Sequence, residues 1–419
     1  MIYLLSGSGA PNFGDELIVR KWLDHYATHH PDTPLHLDCK SINQSRKIHG
    51  GAHPETRFFF FLKALAQDKA PGSFWEHCAR GFEFVMTNAS VLMPLPRDWK
   101  QKSLWDTLLS RKNRLTLNDR GRKLQIPLED VPDFTKLKLI HLVGGGYISG
   151  SWPNSGFLLG CCAALKRLFG VPVVATGLGV TPLPLPPPEW QGFIRSVLEN
   201  FDLFETRDRD SHDSIGKILG DRGNALCGLD DVFLQFPQAK STGATDVPDE
   251  KPSLHLSFFP KISRFDSTGK LIEDIRLTAE SFGDVYFWLC CKPDRVVFRL
   301  LKKAIPGVKL LTPAELVNGS IPMKRNDFMI TSRFHPHLIG AGNGMSGIFL
   351  AQSAFYRAKH HSVTALGSSF VALDNKRTLL ETMNEVKNHP QSDRLRQRVG
   401  ELSQQKREIA QAIGRLLGS

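Results

Sequence analysis

The sequence predicts an α/β protein with two doubly wound parallel sheets. Short apolar segments that end at glycine or polar residues alternate with segments of helical periodicity, and the alternation begins a second time after residue 252. Strands that alternate with helices favour parallel sheets covered by helices. At roughly 150 residues for each domain, the 419 residues also suffice for two such domains.

A polar segment separates the two runs. Residues 238–252 are rich in turn-forming residues and nearly free of large apolar side chains, so we predict a linker there. We predict an N-terminal Rossmann-like domain over residues 1–237 and a C-terminal one over 253–391. Residues 392–419 have the pattern of an amphipathic helix.

Individual strands and helices follow from the apolar pattern. The predicted strands of the first domain cover residues 2–7, 137–143, 171–179 and 201–208. Those of the second domain cover residues 254–259, 285–291, 308–313, 327–332 and 348–352. Helices are predicted from Asp15, over residues 156–169 and after residue 332, and the run 58–61 is predicted to be a helix face in the core.

The charge favours anionic partners. A formal charge of +11 and a pI near 9.3 suit phosphates, acidic glycans, nucleic acid or an anionic membrane. A basic insertion at residues 90–130 interleaves Trp99 and Trp105 with lysines and arginines. It is either a face for an acceptor or an anionic membrane, or a solvated helix packed on the N-terminal domain.

Composition also bears on location. No segment is apolar enough to span a membrane, and the first residues, MIYLLSGSGAPNFGDE, resemble a strand and not a signal peptide. The seven cysteines show no CxxC spacing, which is typical of reduced thiols and excludes the usual zinc signatures. We therefore expect a cytoplasmic protein that binds no metal, peripheral to the inner face of the membrane if the insertion contacts lipid.

A glycine turn leads from the first strand into the first helix. Bare backbone amides at a helix N-terminus bind anions, so Asn12 and Gly14 are candidates for a binding loop. Asp15 is a candidate base on the acceptor side. In the alternative interpretation, Asn12 and Asp15 only cap the helix.

A second glycine turn, formed by Gly144, Gly145 and Gly146, follows the strand at 137–143. Glycines let a ligand or another backbone approach closely. Ligands of open α/β sheets bind at the carboxyl ends of parallel strands, so we predict a cleft over these turns.

Three cations follow other strands. Arg207 follows the strand at 201–208, and its neighbouring aspartates offer surface salt bridging as the alternative. Arg333 and His335 lie at a strand-to-helix junction, where an arginine can bind phosphate or carboxylate and a histidine can transfer protons. A structural role for His335 stays open. Lys359 follows the next strand and can reach the same cleft.

Together these motifs resemble the polysaccharide pyruvyl transferase family. They occur in the family's order and span nearly the whole chain. The matching residues are Asn12 to Glu16, Gly144 to Gly146, Thr176 to Gly179, Arg207 and Asp208 with Ser211, Asp230 and Asp231, Arg333 to His335, and Phe355 to Lys359.

The resemblance implies a GT-B-like fold, with two Rossmann-like domains facing a cleft. It implies phosphoenolpyruvate as donor, no metal or nucleotide cofactor, and a sugar or glycan acceptor, lipid-linked or not. The N-terminal domain is then the acceptor side and the C-terminal domain the donor side. Arg207, Arg333 and Lys359 would bind the donor, helped by the glycine-loop amides, and His335 would act as the acid.

Two rival functions fit the same features. A GT-B glycosyltransferase that uses a nucleotide sugar could be built on the same scaffold, although the helix after His335 offers no clear acidic residue for a ribose. A non-catalytic protein that binds acidic glycans would instead use the basic insertion. Nucleic-acid binding is not expected, since no RRM, KH or zinc-finger motif is present.

Overall fold

The computed structural model describes residues 1–67, 71–93, 114–220, 225–239, 251–260, 270–319, 321–351, 353–373, 377–388 and 394–418. The chain forms two compact units, which do not follow the sequence as two consecutive blocks. The first unit consists of Met1–Gly9, Trp22–Asp231 and Glu408–Ser419. The second consists of Ala10–Lys21 and Val232–Arg407.

The first unit contains a parallel sheet covered by helices. In chain order the strands of this sheet are β1 (Ile2–Leu5), β2 (Leu35–Asp38), β3 (Thr56–Phe59), β6 (Leu139–Leu142), β7 (Val173–Leu178), β8 (Leu203–Thr206) and β9 (Ala225–Cys227). Between β3 and β6, the strands β4 (Arg114–Asp119) and β5 (Arg122–Pro127) form a separate antiparallel hairpin. Among the described residues the sheet order is β3-β2-β1-β6-β7-β8-β9. Its helices are α1 (Phe13–His29, of which the residues up to Lys21 belong to the second unit), α2 (Ile42–His49), α3 (Leu62–Ala66), α4 (Phe74–Thr87), α5 (Ala89–Leu92), α6 (Gly156–Phe169), α7 (Gln191–Glu199) and α8 (Arg209–Leu219).

The second unit repeats this architecture. Its strands are β10 (Leu254–Ser257), β11 (Val285–Trp288), β12 (Lys309–Leu311), β13 (Phe328–Thr331), β14 (Ser346–Phe349) and β15 (Val371–Ala372). They pair in parallel in the order β12-β11-β10-β13-β14-β15 over the part of the unit that the structure describes. Its helices are α9 (Lys270–Ala279), α10 (Arg295–Ala304), α11 (Pro313–Val317), α12 (Phe334–Gly342), α13 (Ala354–Ala365), α14 (Leu379–Asn388) and α15 (Arg394–Gly418), of which the residues from Glu408 onward belong to the first unit.

Both sheets have the Rossmann pattern, in which the first strand of each unit lies at the centre and the chain winds outward to either side. The strands β1, β6, β10 and β13 are buried along their whole length, as expected for parallel strands covered on both faces. The prediction of two Rossmann-like parallel sheets is therefore confirmed.

Two local predictions were wrong. The run 58–61 is not a helix face, because Phe58 and Phe59 end strand β3. That strand alternates half-buried and exposed residues and is too short to show a period. Residues 114–127 of the basic insertion form the β4–β5 hairpin, so the alternative of a solvated helix is wrong for this part of it. Most of the predicted linker and the tryptophan-bearing part of the insertion lie outside the described residues.

The hairpin is held by a buried ion pair. The Arg80 Nη2 on α4 donates to the Asp119 Oδ2 at 2.5 Å, and both side chains are almost fully buried. The Asn88 side chain also exchanges hydrogen bonds with the backbone of Asn118, at 2.7 and 2.8 Å. The Asp119 carboxylate therefore anchors the hairpin to the first unit, while the basic side chains of the hairpin face solvent.

Helices α4 and α6 pack with their backbones in contact. A Cβ atom added to Gly160 would lie 1.9 Å from the Cys78 carbonyl oxygen, and one added to Gly81 would lie 2.0 Å from the Phe157 carbonyl oxygen. The same holds for Gly156 against the Phe74 carbonyl oxygen, at 2.0 Å. The crossing therefore tolerates only glycine at these three positions.

Among the described residues, the model contains no helix with the length and apolarity needed to cross a bilayer.

The Gly160→Ala substitution should destabilise the first unit by about 2 kcal/mol, because the helices must move apart. The control is Gly216→Ala, on the interior of α8, where an added Cβ meets nothing within 4 Å. That substitution should stabilise by about 0.5–1 kcal/mol through helix propensity. Denaturant midpoints measure both, and equal midpoints for the two variants would contradict this packing.

Candidate functional site

The most polar strand end of the second unit is the junction between β13 and α12. The Thr331 hydroxyl donates to the Ser257 carbonyl oxygen at 3.1 Å and accepts from the Arg333 amide at 2.9 Å. Ser332 Oγ accepts from the Phe259 amide at 2.9 Å. These bonds tie the junction to the end of the central strand β10 and fix where Arg333 leaves the backbone.

The Arg333 guanidinium is held on three sides. Its Nη2 donates to the Asp294 carboxylate and to the Cys291 Sγ, the latter at 2.8 Å. Its Cζ lies 3.7 Å from the centre of the Phe259 ring, a cation–π contact. Burial alone would lower the pKa of Arg333, but the Asp294 carboxylate beside it raises that pKa above its ordinary value.

Asp294 holds this arrangement from the end of β11, which is separated from β13 by the central strand β10. It follows β11, is fully buried, and accepts hydrogen bonds from the Cys291 amide at 3.1 Å and the Cys291 thiol at 3.3 Å. Burial raises the pKa of the Cys291 thiol to about 11, so the thiol stays protonated. The carboxylate is therefore the counter-charge of Arg333 in this cluster.

The first turn of α1 belongs to the same unit and contacts the same cluster. The Phe13 amide donates to the Cys290 carbonyl oxygen at 2.7 Å, and Asn12 forms a backbone bridge with Cys291. A Cβ atom added to Gly14 would lie 1.8 Å from the His335 Nδ1. Only glycine therefore fits against the His335 imidazole.

Asp15 lies beside this contact. Its Oδ2 accepts a hydrogen bond from the Asn12 side-chain amide at 2.8 Å, and both residues are half-buried. The Glu16 amide donates to the Asn12 carbonyl oxygen at 2.9 Å, which starts the helix. The structure is compatible with both predicted roles of Asp15, as a base or as part of a cap.

Lys359 is connected to Arg333 through aromatic rings. Its Nζ lies 4.0 Å from the centre of the Phe355 ring on the same helix, α13. The Tyr356 ring packs edge-on against both Phe355, at 5.1 Å, and Phe259, at 4.4 Å. The two predicted cations thus lie on one aromatic cluster, formed by Phe259, Phe355 and Tyr356.

The other histidines of this region form a separate buried pair. The Nδ1 atoms of His337 and His360 are 2.8 Å apart, and the His337 Nε2 lies 2.8 Å from the Ser368 Oγ. Burial lowers the pKa of His337 far below its ordinary value and that of His360 to about 3. Both stay neutral near pH 7, so this pair is structural.

The remaining predicted residues lie in the first unit. Arg207 is almost fully buried, and its Nη1 donates to the Asp230 Oδ2 at 3.0 Å. Its Nε lies 3.6 Å from the Asp208 Oδ2. A Cβ atom on Gly179 would meet the guanidinium at 2.6 Å. The alternative of surface salt bridging is therefore wrong for Arg207, which forms a buried ion pair with Asp230 at the end of β8.

The triple-glycine turn is packed around a carboxylate. The Gly144 amide and the Thr176 hydroxyl each donate to the Asp231 Oδ2 at 2.9 Å. The Gly145 amide donates to the Gly177 carbonyl oxygen at 3.4 Å. The structure thus gives the amides of Gly144 and Gly145 protein acceptors, while Gly146 is half-buried beside them.

The structure therefore brings six predicted residues into one unit: Asn12, Gly14, Asp15, Arg333, His335 and Lys359. Arg207, Gly144, Gly145 and Gly146 lie in the other unit, and their roles in donor binding stay predictions. Sequence reasoning missed Asp294 and Phe259. The position of Asp294 shortly after a buried strand is the signal that could have identified it.

Within the part of the chain that the structure describes, no group of three metal-ligating side chains comes together.

The sequence matches the family model of polysaccharide pyruvyl transferase over residues 12–306. Since this range covers well over half of the chain, the protein belongs to the polysaccharide pyruvyl transferase family, and the resemblance noted above is confirmed. The range ends before Arg333, His335 and Lys359, so their roles depend on the geometry described here. A comparison with curated proteins gives no match.

Solved structures show the fold in other proteins. A UDP-GlcNAc 2-epimerase from Neisseria meningitidis bound to UDP-GlcNAc superposes with a TM-score of 0.51 at 11% identity, over 99% of this chain and 100% of that one. A candidate UDP-N-acetylglucosamine 2-epimerase from Listeria monocytogenes gives 0.51 at 11% identity, over 94% and 90%. At such low identity the likeness shows only the fold, which is GT-B-like as expected.

The Arg333–Asp294 pair should be strongly coupled. Asp294→Ala or Arg333→Met alone should lower the free energy of unfolding by about 3 kcal/mol, because each leaves a charge buried without its partner. The double variant should lose clearly less than the sum of the two. Chemical denaturation of the four proteins measures this coupling.

The exposed pair Lys309–Asp284, with 2.7 Å between Nζ and Oδ1, is the control in the same unit. Its coupling in the corresponding cycle, with Lys309→Met and Asp284→Ala, should be below about 1 kcal/mol. Additive losses at Arg333 and Asp294 would show that the two side chains do not form the ion pair in solution.

Proposed function

We propose that the protein transfers a pyruvyl group from phosphoenolpyruvate to two hydroxyls of a sugar, which closes a cyclic ketal. Family membership supports a transferase of this kind. The arrangement that carries the proposal is the contact between His335 and Gly14, next to Arg333 at the start of α12. It brings a proton donor and a fixed cation together at one strand end.

The donor carries a carboxylate and a phosphate, so its binding needs cations. Arg333 supplies a guanidinium whose orientation is set by Asp294 and Phe259. Its Nε has no acceptor among the described residues. Lys359 adds a second positive charge on the same aromatic cluster, and an anion held by both would also face the N-terminus of α12.

The reaction then needs an acid and a base. His335 donates a proton to the methylene carbon of phosphoenolpyruvate, which leaves a positive charge on the carbon that bears the phosphate. One sugar hydroxyl attacks that carbon and loses its proton, and Asp15 is our candidate for the base. The bond to phosphate breaks and phosphate leaves with the electron pair. The neighbouring hydroxyl then attacks the same carbon and gives its proton to the His335 imidazole, which the first step left deprotonated.

His335 is a better candidate for the acid than its neighbours. His337 and His360 are buried and hydrogen-bonded to each other, and their lowered pKa values keep them neutral. His335 is half-buried and lies against a glycine at a strand end, where ligands of such sheets bind. No metal or nucleotide cofactor takes part in the proposed reaction, which we place in the cytoplasm.

The His335→Gln variant should lower turnover about 10²–10⁴-fold, because a positioned general acid contributes a factor of this size.

Arg333→Lys should mainly raise the KM for phosphoenolpyruvate, since lysine cannot reproduce the two-pronged guanidinium contact. The assay is acceptor-dependent phosphate release, with mass spectrometry of the pyruvylated product. His361→Gln, at an exposed histidine of α13, is the control and should keep full activity.

Unchanged turnover in His335→Gln would remove the imidazole from the reaction. If no acceptor releases phosphate from phosphoenolpyruvate, and UDP is released from UDP-sugars instead, the protein is a nucleotide-sugar transferase. If neither donor reacts but acidic glycans bind, the protein is a non-catalytic glycan-binding member of the family.

A further inference from the structure

Helix α10 of the second unit carries a basic face directed to solvent. Its sequence, RVVFRLLKKA, contains two arginines, two lysines and no acidic residue. Val297 and Leu301 are fully buried in the core of the unit. The opposite side of the helix is therefore free to contact something else.

The exposed side combines charge with aliphatic surface. Arg295, Arg299 and Lys303 are exposed and follow one another at intervals of one helical turn. In the next row, Val296 and Leu300 are 52% and 45% exposed, unusual values for such side chains. We call these five residues the basic face of α10.

The charges of this face are not neutralised by neighbouring side chains. No ion pair among the described residues involves Arg295, Arg299 or Lys303. Helix α9 carries Glu273 and Asp274, and Glu280 follows its end. Glu273 and Glu280 are bound to Arg276, at 2.7 and 2.6 Å. The three cations thus project a net positive potential into solvent.

We propose that the basic face of α10 docks on an anionic lipid surface. A helix with Lys and Arg beside protruding aliphatic side chains is typical of helices that lie at the membrane interface. Single-stranded nucleic acid is usually bound through exposed aromatic rings, which this face lacks. Docking would bring the enzyme to a lipid-linked acceptor, and only this consequence depends on the proposed function.

The experiment is co-sedimentation of the full-length protein with vesicles of phosphatidylcholine and phosphatidylglycerol in equal parts. The triple variant Arg295→Gln, Arg299→Gln, Lys303→Gln should bind about 100-fold more weakly than the wild type, since each basic residue near an anionic surface contributes a factor of about five. The double variant Val296→Ser, Leu300→Ser should also bind less, and raised salt should weaken wild-type binding.

The matched control is Arg394→Gln, Arg407→Gln, Arg415→Gln, which removes the same net charge from exposed positions of α15. It should bind vesicles as the wild type does. Equal loss in both triple variants would mean that overall charge drives binding, and it would overturn the proposal. So would wild-type affinity in the α10 variant, or binding of wild type only to a soluble acidic polysaccharide.

These outcomes are separate from the test of catalysis. Vesicle binding requires no donor or acceptor, and the basic face of α10 contains none of the residues assigned to catalysis or donor binding. The α10 triple variant should therefore keep wild-type turnover on a water-soluble acceptor. Failure of docking alone leaves the transferase proposal intact, and failure of catalysis alone leaves the docking result intact.

Discussion

A charge that is buried beside a parallel sheet covered on both faces needs a partner, and the side chains that could meet a ligand lie where the strands end. This constraint organises both units. In the second unit Asp294, after β11, partners Arg333, after β13. In the first unit Asp230 partners Arg207, after β8. The cations that could bind a donor are therefore held in fixed orientations by carboxylates that follow other strands of the same sheet.

The same constraint explains the glycines. A side chain that has to lie at a crowded strand end needs a neighbour without a Cβ atom. Gly14 gives this space to the His335 imidazole, and Gly144 and Gly177 give it to the Asp231 carboxylate. These glycines are needed for close packing between parts of the chain that are distant in sequence. A glycine-rich turn at a strand end is thus as informative about a neighbouring side chain as about a ligand.

Much of the fold could be predicted from local pattern. The strands around residues 139–142 and 328–331 and the helix Gly156–Phe169 follow directly from apolar runs that end at glycine or polar residues. Strand β3 and the β4–β5 hairpin could not be predicted, because short half-exposed strands have no clear period. For the site, the strand-end rule identified Arg333 and His335. It could not show that Asp294 and Phe259 hold the guanidinium, or that the first turn of α1 joins the second unit, since both are tertiary contacts.

The most direct test of the account is a thermal shift with phosphoenolpyruvate, measured on the wild type and on Arg333→Ala, each against its own ligand-free midpoint. A ligand that binds only the folded protein raises the midpoint. The account predicts a clear rise for the wild type and little or none for the variant. Equal rises in both proteins, or stabilisation of the wild type by UDP-sugars and not by phosphoenolpyruvate, would contradict it.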